Sequence, residues 1–204
     1  MDYTPARLPA ELLSMLAICD PTDAELLATT FQFAAAAHAG QRRDEGTPFI
    51  DHPVAVTVML WHELGCRDVD VLLAALMHDV VEDCDWIARD AITDLIGVRA
   101  MEMVMHVTKR AVPAEQREQR DREYLDTLQH LPLPSRLLKL ADRIHNLRCV
   151  PLAGDPDKAR RYLEVSRERF YPLALSTDAT VARLVAEACD TIEAYLARLD
   201  RAPG

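Results

Sequence analysis

The chain has 204 residues, of which half are hydrophobic, 5% are aromatic and 27% are charged, and its formal net charge is −10. This length predicts one domain over residues 1–204, with enough apolar side chains for a core. The acidic balance argues against non-specific binding to nucleic acid. No apolar run approaches the roughly 20 residues that a membrane-spanning helix needs.

The cysteines indicate a reducing compartment. They are odd in number, scattered and without a C-x-x-C pair, as expected for free thiols: Cys19, Cys66, Cys84, Cys149 and Cys189. The first residues lack the basic and apolar segments of a signal peptide. We therefore expect a soluble cytoplasmic protein that binds neither nucleic acid nor membrane. The sequence does not predict its oligomeric state.

Apolar residues recur at helical spacing along most of the chain, and no segment shows the alternation of a strand. The predicted helices cover residues 5–19, 20–40, 52–65, 68–83, 86–96, 98–109, 119–130, 135–150, 156–175 and 178–200. The expected fold class is all-α, a bundle of about eight to ten helices. His38 lies in the last turn of the second helix, where it is either a surface residue that compensates the helix dipole or a functional residue.

The helix predicted over residues 68–83 is expected to be central and buried. Asp68 is a good N-cap, and the run VLLAALM is apolar nearly all round. His78, Asp79, Glu82 and Asp83 follow at spacings of three and four residues, which directs an imidazole and three carboxylates toward one region. An isolated acidic pair would indicate a solvated helix end. Burial of a His–Asp pair without a partner is costly, however, so the pattern favours a bound cation.

Two further segments carry residues that suit a metal site. His52 begins the third predicted helix, where the helix N-terminus favours the neutral imidazole that binds metal. Asp142 lies beside the apolar face of the helix over 135–150, and Asn146 points the same way four residues later. An Asp in this position is often a structural hydrogen-bonding residue. It is also what a metal site requires when its other ligands come from different helices.

Together His52, His78, Asp79 and Asp142 offer two imidazoles and two carboxylates from three helices. Mixed nitrogen and oxygen ligands without thiolate suit Mn²⁺, Fe²⁺ or Mg²⁺ better than structural zinc. Four protein ligands on a six-coordinate ion leave room for water or a substrate oxygen. Because the chain has no glycine-rich phosphate loop, Walker A motif or G-x-S-x-G motif, any phosphate must be bound by the metal and basic side chains.

Five motifs occur in a specific order: AHAGQRR (37–43), GTPFIDHP (46–53), AALMHDVVED (74–83), VTK (107–109) and KLADRIHNL (139–147). This set resembles the HD-domain hydrolases of the Rel/Spo alarmone family, and in length the single-domain small alarmone hydrolases. The resemblance covers residues 25–175. Residues 176–200 are expected to form the closing helices of the domain. The resemblance implies an all-helical HD fold, one Mn²⁺ ion and removal of the 3′-pyrophosphate from ppGpp or pppGpp, which yields GDP or GTP and pyrophosphate.

The resemblance also implies residue roles. The matched metal ligands are His52, His78, Asp79 and Asp142. The matched acidic pair that orients or activates water is Glu82 and Asp83. The expected substrate-binding residues are Arg43, Lys109, Lys139, Asn146, Lys158 and Tyr162. Asp44 stands where many relatives have a basic residue and Cys149 where many have Thr, which leaves base selectivity and affinity open. Since the synthetase region of the bifunctional relatives is missing, the chain is not expected to make alarmone.

Two alternative functions remain compatible with the motifs. The same pocket could accept another nucleotide with a ribose phosphate, such as NADPH losing its 2′-phosphate. The chain could instead be a catalytically silent alarmone-binding regulator. The intact acid pair, Glu82 and Asp83, argues against this second alternative, because a binding protein does not need to orient water.

Overall fold

The computed structural model describes residues 6–201 of the chain. Within this range the chain folds into helices without a strand, which confirms the all-α prediction. The helices are α1 (Ala10–Leu16), α2 (Pro21–Ala37), α3 (Asp51–His62), α4 (Val69–Met77), α5 (Val80–Asp83), α6 (Arg89–Val107), α7 (Arg117–Thr127), α8 (Leu133–Cys149), α9 (Pro156–Val165), α10 (Tyr171–Leu175) and α11 (Ala179–Leu199). The α5 and α10 segments are short turns of helix, which leaves nine longer helices in this range, within the predicted number.

The α4 helix forms the centre of the fold. All of its residues from Val71 to Met77 are buried, and it packs against α2, α3, α6 and α8. The Asp68 carboxylate caps it by accepting the Asp70 N–H at 3.2 Å. Burial of each large apolar side chain contributes about 1.5–3 kcal/mol, so this apolar segment stabilises the helices that surround it. Those helices carry the candidate site.

The single helix predicted over residues 68–83 is wrong in its second half. The α4 helix ends at Met77, and His78 and Asp79 form a turn before α5. His78 Nδ1 lies 2.8 Å from the Ala75 carbonyl oxygen, which an uninterrupted helix would pair with the N–H of residue 79. The side chain therefore competes with the helical hydrogen bond at the break. As a consequence, the acid pair lies on a separate short segment.

Other interruptions of the helices lie closer to their predicted positions. Gly97 interrupts α6 with φ 80° and ψ 162°, a conformation that favours glycine, at the predicted position. Pro172 lies in the first turn of α10, and a π-helical turn, Ser166–Phe170, separates α10 from α9. The predicted helix over 156–175 is therefore interrupted in the turn before Pro172. The α7 helix begins at Arg117, earlier than predicted.

The ends of the first helices differ from the predicted ends by a few residues. The first helix is shorter than the predicted 5–19, and residue 5 lies outside the described residues. Asp20 caps α2 by accepting the Thr22 N–H at 2.9 Å, and Pro21 is the first residue of α2, next to the predicted start at residue 20. Within residues 6–201, no helix combines the length and hydropathy that crossing a membrane requires.

Candidate active site

Three helices bring two imidazoles and a carboxylate together in the protein interior. His52 lies in the first turn of α3, His78 directly after α4, and Asp142 in the middle of α8; all three are buried. His52 Nε2 lies 3.2 Å from His78 Nε2 and 3.3 Å from Asp142 Oδ1. His78 Nε2 lies 3.8 Å from the same oxygen. One donor atom from each residue thus falls within 4.8 Å of the others.

This donor set fits a divalent metal ion. Donor atoms that share one ion at about 2.1 Å lie roughly 3 Å apart, close to the separations observed here. Two imidazole lone pairs that face each other at 3.2 Å repel unless a proton or a cation lies between them. Burial opposes a charge on His78, but the negative charges of Asp79 and Asp142 outweigh it and raise the pKa of His78 to about 9. The cluster therefore attracts positive charge.

Asp79, the fourth predicted ligand, contacts both histidines from a more exposed position. Its Oδ2 lies 3.4 Å from His52 Nε2 and its Oδ1 lies 3.3 Å from His78 Nε2. Its side chain is 22% exposed, whereas the two imidazoles are nearly fully buried. Asp79 is not part of the tight group of three. Its assignment as a ligand stays a prediction.

Polar neighbours hold the carboxylate of Asp142. Lys139 Nζ donates to Oδ2 at 2.8 Å, and Asn146 Nδ2 donates to Oδ1 at 2.5 Å. Burial alone would raise the pKa of Asp142, but the Lys139 ammonium and hydrogen bonds from the two histidines lower it well below its usual range. The carboxylate is therefore charged and ready to bind a cation. Lys139, which was predicted to bind substrate, contacts the predicted metal ligand Asp142.

The acid pair lies beside the cluster, outside the buried group. Glu82 and Asp83 are both exposed, and Glu82 Oε2 accepts the Lys109 N–H at 3.1 Å. Although its side chain is accessible to water, the protein around Asp83 partly desolvates the carboxylate, and this desolvation, followed by the negative charges of Asp79 and Glu82, raises the pKa of Asp83 to about 6. A carboxylate with this pKa can exchange a proton near neutral pH. The predicted role of the pair in orienting water stays a prediction.

A cavity of about 350 Å³ opens beside Asp142. Four of the predicted substrate-binding residues line it, namely Lys109, Lys139, Asn146 and Tyr162. Its other polar and aromatic lining residues include Asp121, Tyr124, Arg143, Arg161 and Phe170. Cations and aromatic rings around one cavity suit a ligand that carries both phosphate and a planar base.

The loop between α2 and α3 contacts this region through Arg43 and Asp44. Arg43 Nη2 donates to Asn146 Oδ1 at 2.7 Å. Lys158 Nζ pairs with the Asp44 carboxylate and lies 5.4 Å from the centre of the Tyr162 ring. Lys158 and Tyr162 are therefore neighbours, as their spacing on one helix suggests. Asp44 stands where many relatives have a basic residue. Its carboxylate pairs with the ammonium of Lys158, which is predicted to bind substrate.

Two residues of this region, Arg143 and His145, were given no role from the sequence, and for a third, His38, a surface role and a functional role were left open. Arg143 stacks on Tyr162 and Phe170, with its guanidinium carbon 4.3 and 4.6 Å from the ring centres. His145 contacts His52, with the two Nδ1 atoms 2.8 Å apart. His38 is only 3% exposed and stacks on Phe49 at 4.5 Å, so the alternative that placed it on the surface is wrong. All three belong to quoted motifs or lie next to a predicted ligand, which is the signal that could have indicated them.

The fold and the cluster define an all-helical protein with a candidate divalent-metal site formed by histidine and aspartate. The HD domain family matches residues 30–178. The chain belongs to this family, and the predicted likeness to HD-domain hydrolases of the Rel/Spo type is confirmed.

Individual relatives agree with this assignment. The chain is 36% identical over 150 residues to guanosine-3′,5′-bis(diphosphate) 3′-pyrophosphohydrolase MESH1 of Mus musculus, an alignment that covers 70% of this chain and 82% of the relative. The human MESH1 is also 36% identical over 150 residues, with the same coverage. The bifunctional (p)ppGpp synthase/hydrolase SpoT of Escherichia coli is 36% identical over 152 residues, which are 72% of this chain and 21% of the relative.

A solved structure shares the fold. It is a metazoan orthologue of SpoT that hydrolyses ppGpp and plays a role in starvation responses, and it superposes with a TM-score of 0.71. The match covers 91% of this chain and 97% of that one, at 24% sequence identity. This likeness supports the helical architecture described above.

Proposed function

We propose that the protein is a metal-dependent pyrophosphohydrolase that removes the 3′-pyrophosphate of ppGpp and pppGpp. The products are GDP or GTP and pyrophosphate. The observation that carries the proposal is the buried cluster of His52, His78 and Asp142 next to a cavity lined by cations and aromatic rings. Relatives at 36% identity, of whose length the alignment covers 82%, carry the name of this activity.

His52, His78, Asp79 and Asp142 would hold the ion, which we infer to be Mn²⁺ because two nitrogen and two oxygen donors without thiolate suit a borderline ion. When bound, such an ion polarises a phosphoryl oxygen and neutralises charge that develops in the reaction. Hydrogen bonds within the protein orient the atoms that would bind the ion. His78 Nδ1 donates to the Ala75 carbonyl oxygen at 2.8 Å, which leaves the Nε2 lone pair free to bind.

The acid pair supplies the groups that act on water. The backbone N–H of Lys109 holds the Glu82 carboxylate, while Asp83 has a pKa near 6 and can accept a proton. Water oriented by these carboxylates loses a proton to Asp83 and attacks the phosphorus attached to O3′. The bond between that phosphorus and O3′ breaks, and O3′ takes up a proton to become the 3′-hydroxyl. Because both acids are exposed next to the buried ligands, they can reach water and substrate without binding the ion.

The cavity supplies the binding groups. Lys109 and Arg161 present positive charge to phosphates, and the aromatic ring of Tyr162 offers a surface for stacking. Arg43 and Asn146 hydrogen-bond to each other at 2.7 Å and are proposed to contact the base and the ribose. The free state of all five cysteines is consistent with a cytoplasmic location, which we include in the proposal.

The direct test is incubation of purified protein with ppGpp and Mn²⁺, with measurement of pyrophosphate and GDP. We expect stoichiometric release of both. NADPH, assayed at equal concentration, serves as the comparison substrate, and a larger kcat/KM for NADPH would redirect the proposal to that nucleotide. Tight binding of ppGpp without turnover in saturating Mn²⁺ would instead identify a regulator.

The ligand assignment has its own test. Asp142→Ala should lose bound metal and activity together, because only two donors of the buried group remain. Elemental analysis of the folded variant measures this directly. Glu187→Ala, an exposed change on α11, serves as the control and should keep the wild-type metal content. Full metal occupancy in folded Asp142→Ala would remove Asp142 from the ligand set.

A further inference from the structure

We propose that His145 is a positioning residue that accepts a hydrogen bond from His52 and thereby directs the lone pair of His52 Nε2 to the metal. This inference rests on the metal site of the proposed function. It assigns a role to a residue of α8 that is neither a ligand nor a substrate contact.

The contact between the two rings is a hydrogen bond. His52 Nδ1 and His145 Nδ1 are 2.8 Å apart, with ring centres 4.8 Å apart and planes tilted by 50°. An imidazole nitrogen either carries a proton or offers a lone pair. At this distance one of the two nitrogens must donate and the other must accept, because two lone pairs or two N–H groups would repel.

The surroundings of His52 determine the direction. Its Nε2 lies 3.2 Å from His78 Nε2 and 3.3 Å from Asp142 Oδ1, within the donor set of the metal site. A nitrogen that binds metal must be unprotonated. In the metal-bound protein the proton of His52 therefore lies on Nδ1, and this N–H donates to the lone pair of His145 Nδ1.

The remaining proton of His145 then lies on its Nε2. This atom is 3.8 Å from Cys149 Sγ, and sulfur is a weak acceptor. A chain of contacts thus runs from His52 through His145 to Cys149. His145 also follows Asp142 by three residues on α8, so one helix provides a ligand and the residue that orients another ligand.

His78 shows why this arrangement matters. Its Nδ1 faces the carbonyl oxygen of Ala75 at 2.8 Å, and a carbonyl can only accept, so the tautomer of His78 is set by the backbone. His145 could equally donate or accept. The tautomer of His52 consequently depends on a side chain, and substitution of that side chain should change metal binding. Loss of such an orienting partner typically weakens metal affinity about 10–100-fold.

The test compares three variants of the full chain by titration of the metal-free protein with Mn²⁺. We expect His145→Leu to weaken binding about 10–100-fold, because no acceptor remains for His52 Nδ1–H. His145→Gln keeps an acceptor oxygen and should recover most of the affinity. His106→Leu serves as the matched control, since it removes a half-buried histidine hydrogen bond to Ser135 at 2.9 Å far along the chain from the ligands.

A spectroscopic measurement reads the tautomer without substrate. In ¹⁵N-labelled protein loaded with diamagnetic Zn²⁺ in place of paramagnetic Mn²⁺, we expect the shared proton to be bonded to His52 Nδ1, with a scalar coupling across the hydrogen bond to His145 Nδ1. A proton bonded to His145 Nδ1 instead would overturn the proposal. Unchanged Mn²⁺ affinity in folded His145→Leu, or equal losses in His145→Leu and His145→Gln, would overturn it as well.

The outcomes separate this inference from the proposed function. If His145→Leu does not fold, the Mn²⁺ affinity of His145→Gln and the ¹⁵N spectrum of the wild-type protein still test the proposal. Wild-type protein that binds Mn²⁺ but does not cleave ppGpp would contradict the proposed activity and leave the role of His145 intact. Wild-type protein that does not bind Mn²⁺ would contradict both.

Discussion

The Lys139 ammonium donates to Asp142 Oδ2 at 2.8 Å, while Asp142 Oδ1 lies 3.3 Å from His52 Nε2. The two oxygens of one buried carboxylate thus have separate partners. One oxygen is held by a permanent cation, and the other faces the metal site. Lys139 therefore prepares Asp142 for metal binding, whatever contact it also makes with substrate.

Lys139→Met should destabilise the metal-free protein by about 3 kcal/mol, because it leaves the Asp142 carboxylate buried without its cation. The two side chains are only 14% and 9% exposed, so solvent cannot compensate the loss. Urea unfolding in the presence of a chelator measures the change. Arg183→Met is the control, since it breaks an exposed ion pair with Glu187 and should cost less than about 1 kcal/mol. Equal effects of the two changes would contradict the assigned role of Lys139.

The double variant Glu82→Gln, Asp83→Asn separates chemistry from binding. It keeps side-chain volume but removes two negative charges, so turnover of ppGpp should fall by about 10² or more. Metal should remain bound, because neither residue is assigned as a ligand. Affinity for the polyanionic substrate should hold or rise as repulsion is removed. Wild-type turnover in this variant would exclude the acid pair from the mechanism.

The raised pKa of Asp83 predicts a pH dependence of stability in the metal-free protein. Between pH 4 and 6, folded Asp83 keeps a proton that the unfolded chain releases, so this residue makes the free energy of unfolding decrease as the pH rises through about 6. Asp83→Asn should therefore be more stable than the wild type at pH 7–8, with a difference that vanishes toward pH 4. Urea unfolding across this pH range measures it. A difference that grows toward acid pH would contradict the raised pKa.

The ion pair of Asp44 with Lys158 predicts a penalty on substrate binding. A phosphate that engages Lys158 must first displace the Asp44 carboxylate. Asp44→Asn should therefore lower KM for ppGpp by up to about 5-fold with little change in kcat, the scale of an exposed ion pair. Lys158→Met should raise KM, and Asp44→Asn should have no further effect in that background. An equal effect of Asp44→Asn with and without Lys158 would show that the pair does not control binding.

The sequence by itself predicts those features of the fold that depend on residues close together in the chain. Asp20 and Asp68 mark the starts of two helices because a capping carboxylate acts within a few residues. Gly97 marks a break because its backbone requirement is local. The order and spacing of the motifs likewise indicated His52, His78 and Asp142, which the structure brings together.

Contacts between distant segments could not be predicted in this way. His145 meets His52 across 93 residues, and Lys158 meets Asp44 across 114 residues. These contacts arise from helix packing, which depends on the whole core. The break at His78 was missed for the same reason. Local propensity favours a continuous helix there, whereas the buried imidazole bonds to the Ala75 carbonyl oxygen and points its other nitrogen at ligands from α3 and α8.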